Sequence, residues 1–134
     1  MDVGNLVLAN SSNEDLMPWS AIAVLVPVLV LSGVLLIWIG QKARRGNLSR
    51  NWIAGIRTSA TLSSDQAWIA GHQAGGSLIL WAGLISAASG LALLFRPSNI
   101  IGAILLIGSM VLVIVLAILS ATRANSAASK IQNE

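Results

Sequence analysis

The sequence predicts an all-α integral membrane protein: three transmembrane helices with an interfacial amphipathic helix between the first and the second. Three observations carry that prediction. Of 134 residues, 55 % are hydrophobic and only 10 % are charged, with a mean hydropathy of +0.79; a dissolved domain of this size needs far more charged surface. Three runs without an ionisable group, 19–39, 77–95 and 100–120, each reach the ~20 apolar residues that cross a bilayer as a helix. None of them alternates with period 2, which disfavours a closed β-barrel, the other structure that satisfies every backbone group in lipid. The length suits a single domain.

Taken in order, residues 1–18 form a tail with Asp2, Glu14 and Asp15 but no Lys or Arg. A cleaved signal peptide carries its basic residues ahead of the apolar stretch, so the run 19–39 reads as a retained span. Trp19 and Trp38 bracket it as interfacial anchors, and Pro27 removes a backbone bond near its middle. The basic residues follow. Lys42, Arg44, Arg45, Arg50 and Arg57 lie between the first two spans, Arg123 and Lys130 after the third, and only Arg96 on the other side. The positive-inside rule then places the N-terminus outside and the C-terminus in the cytoplasm.

Residues 40–76 are therefore a cytoplasmic loop. Its QKARRGNLSR segment is explained by attraction of juxtamembrane cations to anionic headgroups, ~1 kcal/mol each. RPSN at 96–99 is an outer turn short enough to force spans two and three into an antiparallel hairpin. Ala82, Ser86 and Gly90 recur at four-residue spacing, a small-residue stripe that lets a helix approach closely; it serves either hairpin packing or a contact with another chain, a second copy or a larger complex. Residues 121–134 read as a short, polar, frayed tail.

The stretch GIRTSATLSSDQAWIAGH, residues 55–72, departs from this apolar pattern. Ser63 or Ser64 suits a helix N-cap, Ser63 with Gln66 has capping-box spacing, and Asp65 then falls in the first turn, where the helix dipole favours a carboxylate. A helix over 64–74 sets Asp65, Trp68, His72 and Gly75 on one face. Gly75-Gly76 is expected to hinge it from the second span, the alternative being one continuous helix. Arg57 is the expected partner of Asp65 through a fold-back of TSATLSS, as a structural clasp or as a recognition site.

Several function classes recede. The chain has no Cys and one His, so thiolate metal sites and thiol nucleophiles are excluded and metal ligation by His72 lacks company. The serines beside His72 are better used as caps than in a hydrolytic triad. No span holds an ionisable residue, as ion-coupled transport requires. Nothing resembles paired carboxylates or a phosphate-cradling loop, so no enzyme and no cofactor is expected. The pI near 10.7 rests on a net charge of +3 that topology accounts for, not on nucleic-acid binding.

Asn51, the run Gly55-Ile56-Arg57-Thr58, Thr61-Leu62, Ser64-Asp65, Trp68 and His72 resemble the signature of the SdpI family of small bacterial integral membrane proteins. That signature sets an Asn, GIRTP, TL, SD(E), W and HR followed by small residues between two membrane helices. The resemblance covers 51–76 by motif and the two downstream spans by arrangement. It departs at Ser59, where the family usually has Pro, at Gln66, where Glu is common, and at Gln73, where Arg is common. What it implies is a protein of the bacterial inner membrane acting in immunity to a membrane-active peptide toxin or in envelope signalling, by recognition and not catalysis. Asn51, Gly55, Arg57, Thr58, Thr61, Asp65, Trp68 and His72 would form the recognition site, with membrane lipids and a peptide toxin or regulatory protein as partners. The alternative is an accessory subunit stabilising a larger membrane complex.

Overall fold

The computed structural model describes residues 15–51 and 53–133; most of the expected N-terminal tail, 1–14, lies outside them. Three long helices follow one another: α1 (Trp19–Arg44), α2 (Asp65–Ala92), which tightens into a 3-10 turn over Leu93–Phe95, and α3 (Asn99–Gln132). Among the described residues there is no strand, only an isolated bridge between Leu16 and Ser98. All three helices are long and apolar enough to cross a membrane, and their large aliphatic side chains, such as Leu31, Ile104 and Met110, face outward, the arrangement of a multi-pass membrane protein.

α2 is the central helix, with α1 packed on one flank and α3 on the other. Glycine sets both contacts. Gly33 and Gly40 on α1 and Gly76, Gly83 and Gly90 on α2 recur every seven residues, about two turns, so each set forms one stripe. The stripes press backbone to backbone: a Cβ on Gly83 would lie 2.6 Å from the Gly33 carbonyl oxygen, and one on Gly40 2.5 Å from the Leu80 nitrogen. Ser86 belongs to the same seam, its hydroxyl donating to the Leu29 carbonyl at 3.0 Å and lying 3.3 Å from Ser32 Oγ, and Gly90 packs on Leu29 and Val30. Within the stripe of Ala82, Ser86 and Gly90, Ser86 and Gly90 thus face α1 and not α3 or a second chain; Ala82 is buried as well. Without a hydrophobic drive between helices in lipid, such close approach and dispersion hold them together.

On the opposite flank α2 meets α3 through Gly71 and Gly75. Ser120 Oγ donates to the Gly75 carbonyl at 2.9 Å, and Ala124 backs Gly71. This corrects two expectations. Among the described residues no separate interfacial helix is present, because α2 runs without a break from Asp65: Gly75 and Gly76 are packing points, one against Ser120 and the other against Arg44, and these contacts outweigh the ~1 kcal/mol helix cost of glycine. Nor is the segment after Ser120 frayed. α3 continues to Gln132, since Ala-rich sequence favours helix and Ala124 and Ala128 are fully buried, Ala128 in a cluster with Ala60 and Ala67.

The end opposite residues 45–64 is closed by the chain before α1. Met17 N donates to the Pro97 carbonyl at 3.0 Å, and Asn99 N to the Asp15 carbonyl at 2.7 Å. Met17 lies over Gly102 and joins Ile22 and Leu93 in a small core. Arg96 is the only described non-glycine residue with positive φ, +50°; its Nε bonds the Met17 carbonyl at 3.3 Å and its guanidinium lies 5.3 Å from the Trp19 ring centre, contacts that hold the left-handed turn.

Candidate functional site

The other end of the bundle gathers seven of the eight Lys and Arg residues, and there residues 45–64 fold over the start of α2. Ser64, not Ser63, is the N-cap: its hydroxyl accepts from Ala67 N at 3.0 Å, with Asp65 in the first turn, while Ser63 Oγ donates to the Ala60 carbonyl. This cap starts the helix in a register that turns Trp68 and His72, one turn apart, into the protein. Both are buried, and their ring centres stand 4.1 Å apart.

These two rings fasten the loop. Trp68 Nε1 donates to the Leu48 carbonyl at 2.8 Å. His72 Nε2 accepts from Ile56 N at 2.7 Å, and Nδ1 lies 2.8 Å from the Trp68 carbonyl. An acceptor Nε2 and a donor Nδ1 fix the ring as the neutral Nδ1-H tautomer. His72 precedes the uncharged run that begins at residue 77, and burial there holds its pKa below the ordinary histidine value, only partly offset by its bond to the Trp68 carbonyl. Gly55 passes directly over both rings with φ +129°; a Cβ would lie 2.6 Å from His72 Nε2 and 2.7 Å from Trp68 Cη2, so conformation and space both demand glycine.

Thr61 is the hub of the next turn. Fully buried, its hydroxyl donates to the Ile56 carbonyl at 2.8 Å and accepts from Thr58 N at 2.9 Å, while Thr58 Oγ1 accepts from Thr61 N at 3.2 Å. Asn51 organises the preceding turn, its Oδ1 accepting from Ile53 N and Ala54 N and its Nδ2 donating to the Ser49 carbonyl. No buried side-chain polar atom among the described residues lacks a partner.

Between this loop and α2 opens a cleft of about 800 Å³, lined by Arg50, Asn51, Arg57, Asp65 and Trp68, with Leu62 and Ile69 as its apolar wall. Arg57 donates to the Asn51 carbonyl at 2.7 Å, and Arg50 to the Leu62 carbonyl at 2.9 Å. The residue facing Asp65 is Arg50, Nη1 to Oδ1 3.7 Å, where local spacing pointed to Arg57. Of the expected site residues, then, Asn51, Arg57, Asp65 and Trp68 meet in the cleft. Gly55, Thr58, Thr61 and His72 stand behind it as the framework of the loop, and Gly55 and His72 also border a second, apolar cavity of about 350 Å³ beneath Ile53–Ile56. Arg50 is the cleft residue that the sequence reading assigned to the basic membrane flank; its place directly before Asn51 was the available signal.

A family model described as the SdpI/YfhL protein family matches residues 47–122, more than half of the chain, covering the loop, α2 and most of α3. No curated protein and no solved structure matches the chain.

Proposed function

Because the chain belongs to the SdpI/YfhL protein family, we propose that it acts in immunity to a membrane-active peptide toxin or in envelope signalling, by recognition and without catalysis. The observation that carries this reading is the cleft itself: two arginines and an exposed carboxylate at the rim of a loop fastened by Asn51, Gly55, Thr58, Thr61, Trp68 and His72, residues of the motif that resembles the family signature. Recognition suits it better than proton transfer, since both nitrogens of His72 are engaged in the fold. The protein would lie in the bacterial inner membrane with the cleft in the cytoplasm and the start of α1 outside, a reading supported by seven of eight basic residues at the cleft end. For the accessory-subunit reading, Ser86 and Gly90 of the expected contact stripe pack within the chain.

Deleting the gene in its host and challenging with the peptide toxin is expected to sensitise the cells. Wild-type protein restores resistance, and Asp65→Ala and Arg57→Ala restore less at equal membrane abundance. Unchanged sensitivity of the deletion strain overturns the immunity role. Reporter fusions at Met1 and Glu134 test the orientation, with periplasmic signal expected only at Met1.

A further inference from the structure

We infer that the cleft between Arg50, Arg57 and Asp65 binds the phosphodiester of a membrane-lipid headgroup. Three features point to that chemistry. The first is charge: two guanidinium groups less one carboxylate leave the cleft a single net positive charge, the complement of one phosphodiester and a poor match to the dianion of free phosphate. The second is preorganisation. Arg50 is oriented by its bond to the Leu62 carbonyl and Arg57 by its bond to the Asn51 carbonyl, so the ordering cost of two long side chains is met before a ligand arrives. Yet Arg50 and Asp65 do not close on one another. Their 3.7 Å separation exceeds the ~2.7–2.9 Å of a charge-assisted hydrogen bond, and the Asp65 side chain is 83 % exposed. A phosphate oxygen inserted beside Arg50 would gain the short bond that Asp65 does not make.

The third feature is the wall. Leu62 and Ile69 give the polar cleft an apolar side, and Ile69 stands about two helical turns before the uncharged run of α2, near the headgroup layer. A glycerol backbone with its first acyl carbons has somewhere to rest there, which an ion from solution does not need. This proposal rests on reading the cleft as a recognition site. Its test uses purified protein without toxin, so its failure is distinct from failure of the immunity assay in cells.

The full chain in a non-ionic detergent is titrated calorimetrically with a short-chain phosphatidylglycerol below its micellar concentration. Saturable binding is expected, weakened about tenfold or more in Arg50→Gln, the loss of a hydrogen bond to a charged group. Arg45→Gln, a basic residue outside the cleft, leaves it unchanged, and all variants keep the wild-type unfolding midpoint. Should Arg50→Gln fold poorly, Asp65→Asn decides: a site with two net positive charges gains affinity for inorganic phosphate relative to the lipid. Absence of binding, equal weakening by Arg45→Gln, or an unchanged preference in Asp65→Asn overturns the proposal. Inorganic phosphate competing with the wild-type site at the lipid's own concentration overturns it in favour of a soluble anion. Displacement by hexaglutamate at lower concentration than the lipid overturns it in favour of a peptide.

Discussion

Protonating His72 costs the loop its bond to Ile56, because a hydrogen on Nε2 would face the Ile56 N–H. The folded pKa lies below the ordinary value of 6.5, so the unfolded chain takes up the proton first. Stability from the neutral ring is complete above about pH 6.5 and falls as pH drops below it. Thermal unfolding in detergent from pH 8 to pH 5 is expected to show a falling midpoint for the wild type and a flatter profile for His72→Gln. At this scale, what was local was legible: a Ser cap and Asp65 in the first turn. The partner of Asp65 was not, because both Arg50 and Arg57 are near in sequence and the choice depends on how Asn51 and Thr61 turn the chain between them. Likewise the choice between Ser63 and Ser64 as cap is settled by which hydroxyl the Ala60 carbonyl draws away.

Among the elements, apolar runs identify the spans but not the helix ends. Hydropathy reports which residues tolerate lipid, whereas helicity continues wherever the backbone finds packing; hence α1 extends to Arg44 and α3 to Gln132. Glycines were ambiguous for the same reason. A Gly pair reads as a hinge or as a close contact, and only the neighbouring helix decides. The seven-residue recurrence of Gly76, Gly83 and Gly90, matched by Gly33 and Gly40, was the stronger signal beside the four-residue stripe. A direct comparison follows. Gly83→Ala, which sets a Cβ 2.6 Å from the Gly33 carbonyl oxygen, is expected to destabilise the α1–α2 contact by about 1–3 kcal/mol. Gly108→Ala, with nothing within 4 Å of its Cβ, is expected to be neutral or to stabilise by up to ~1 kcal/mol. Unfolding midpoints of the two variants in the same detergent check both.

For the molecule as a whole, the loop depends on the last turns of α3. Ala128 packs against Ala60 in the loop and Ala67 in α2, so the C-terminal helix props the cleft from behind. Ala128→Glu would bury a carboxylate without a partner there, at a cost of several kcal/mol, and is expected to speed limited tryptic cleavage after Arg50 and Arg57 while leaving the helical content of the membrane runs unchanged. This dependence was hidden in the sequence because polar residues such as Asn125 and Lys130 flank the small ones, and polarity at a terminus reads as solvation.

The backbone bonds that tie Asp15 and Met17 to Pro97 and Asn99 make α1 a lever with a fixed fulcrum. Its 26 residues span ~39 Å at 1.5 Å per residue, so a tilt of about 5° at the pinned end sweeps the Arg44 end through about 3 Å, roughly the width of one hydrogen bond. The glycine seam holds that arm backbone to backbone on α2, and Ser86 bridges it by a side chain, to Leu29 and Ser32. A tilt of α1 about that pinned end would therefore displace Leu48, Arg50 and the rim of the cleft far more than it displaces Met17.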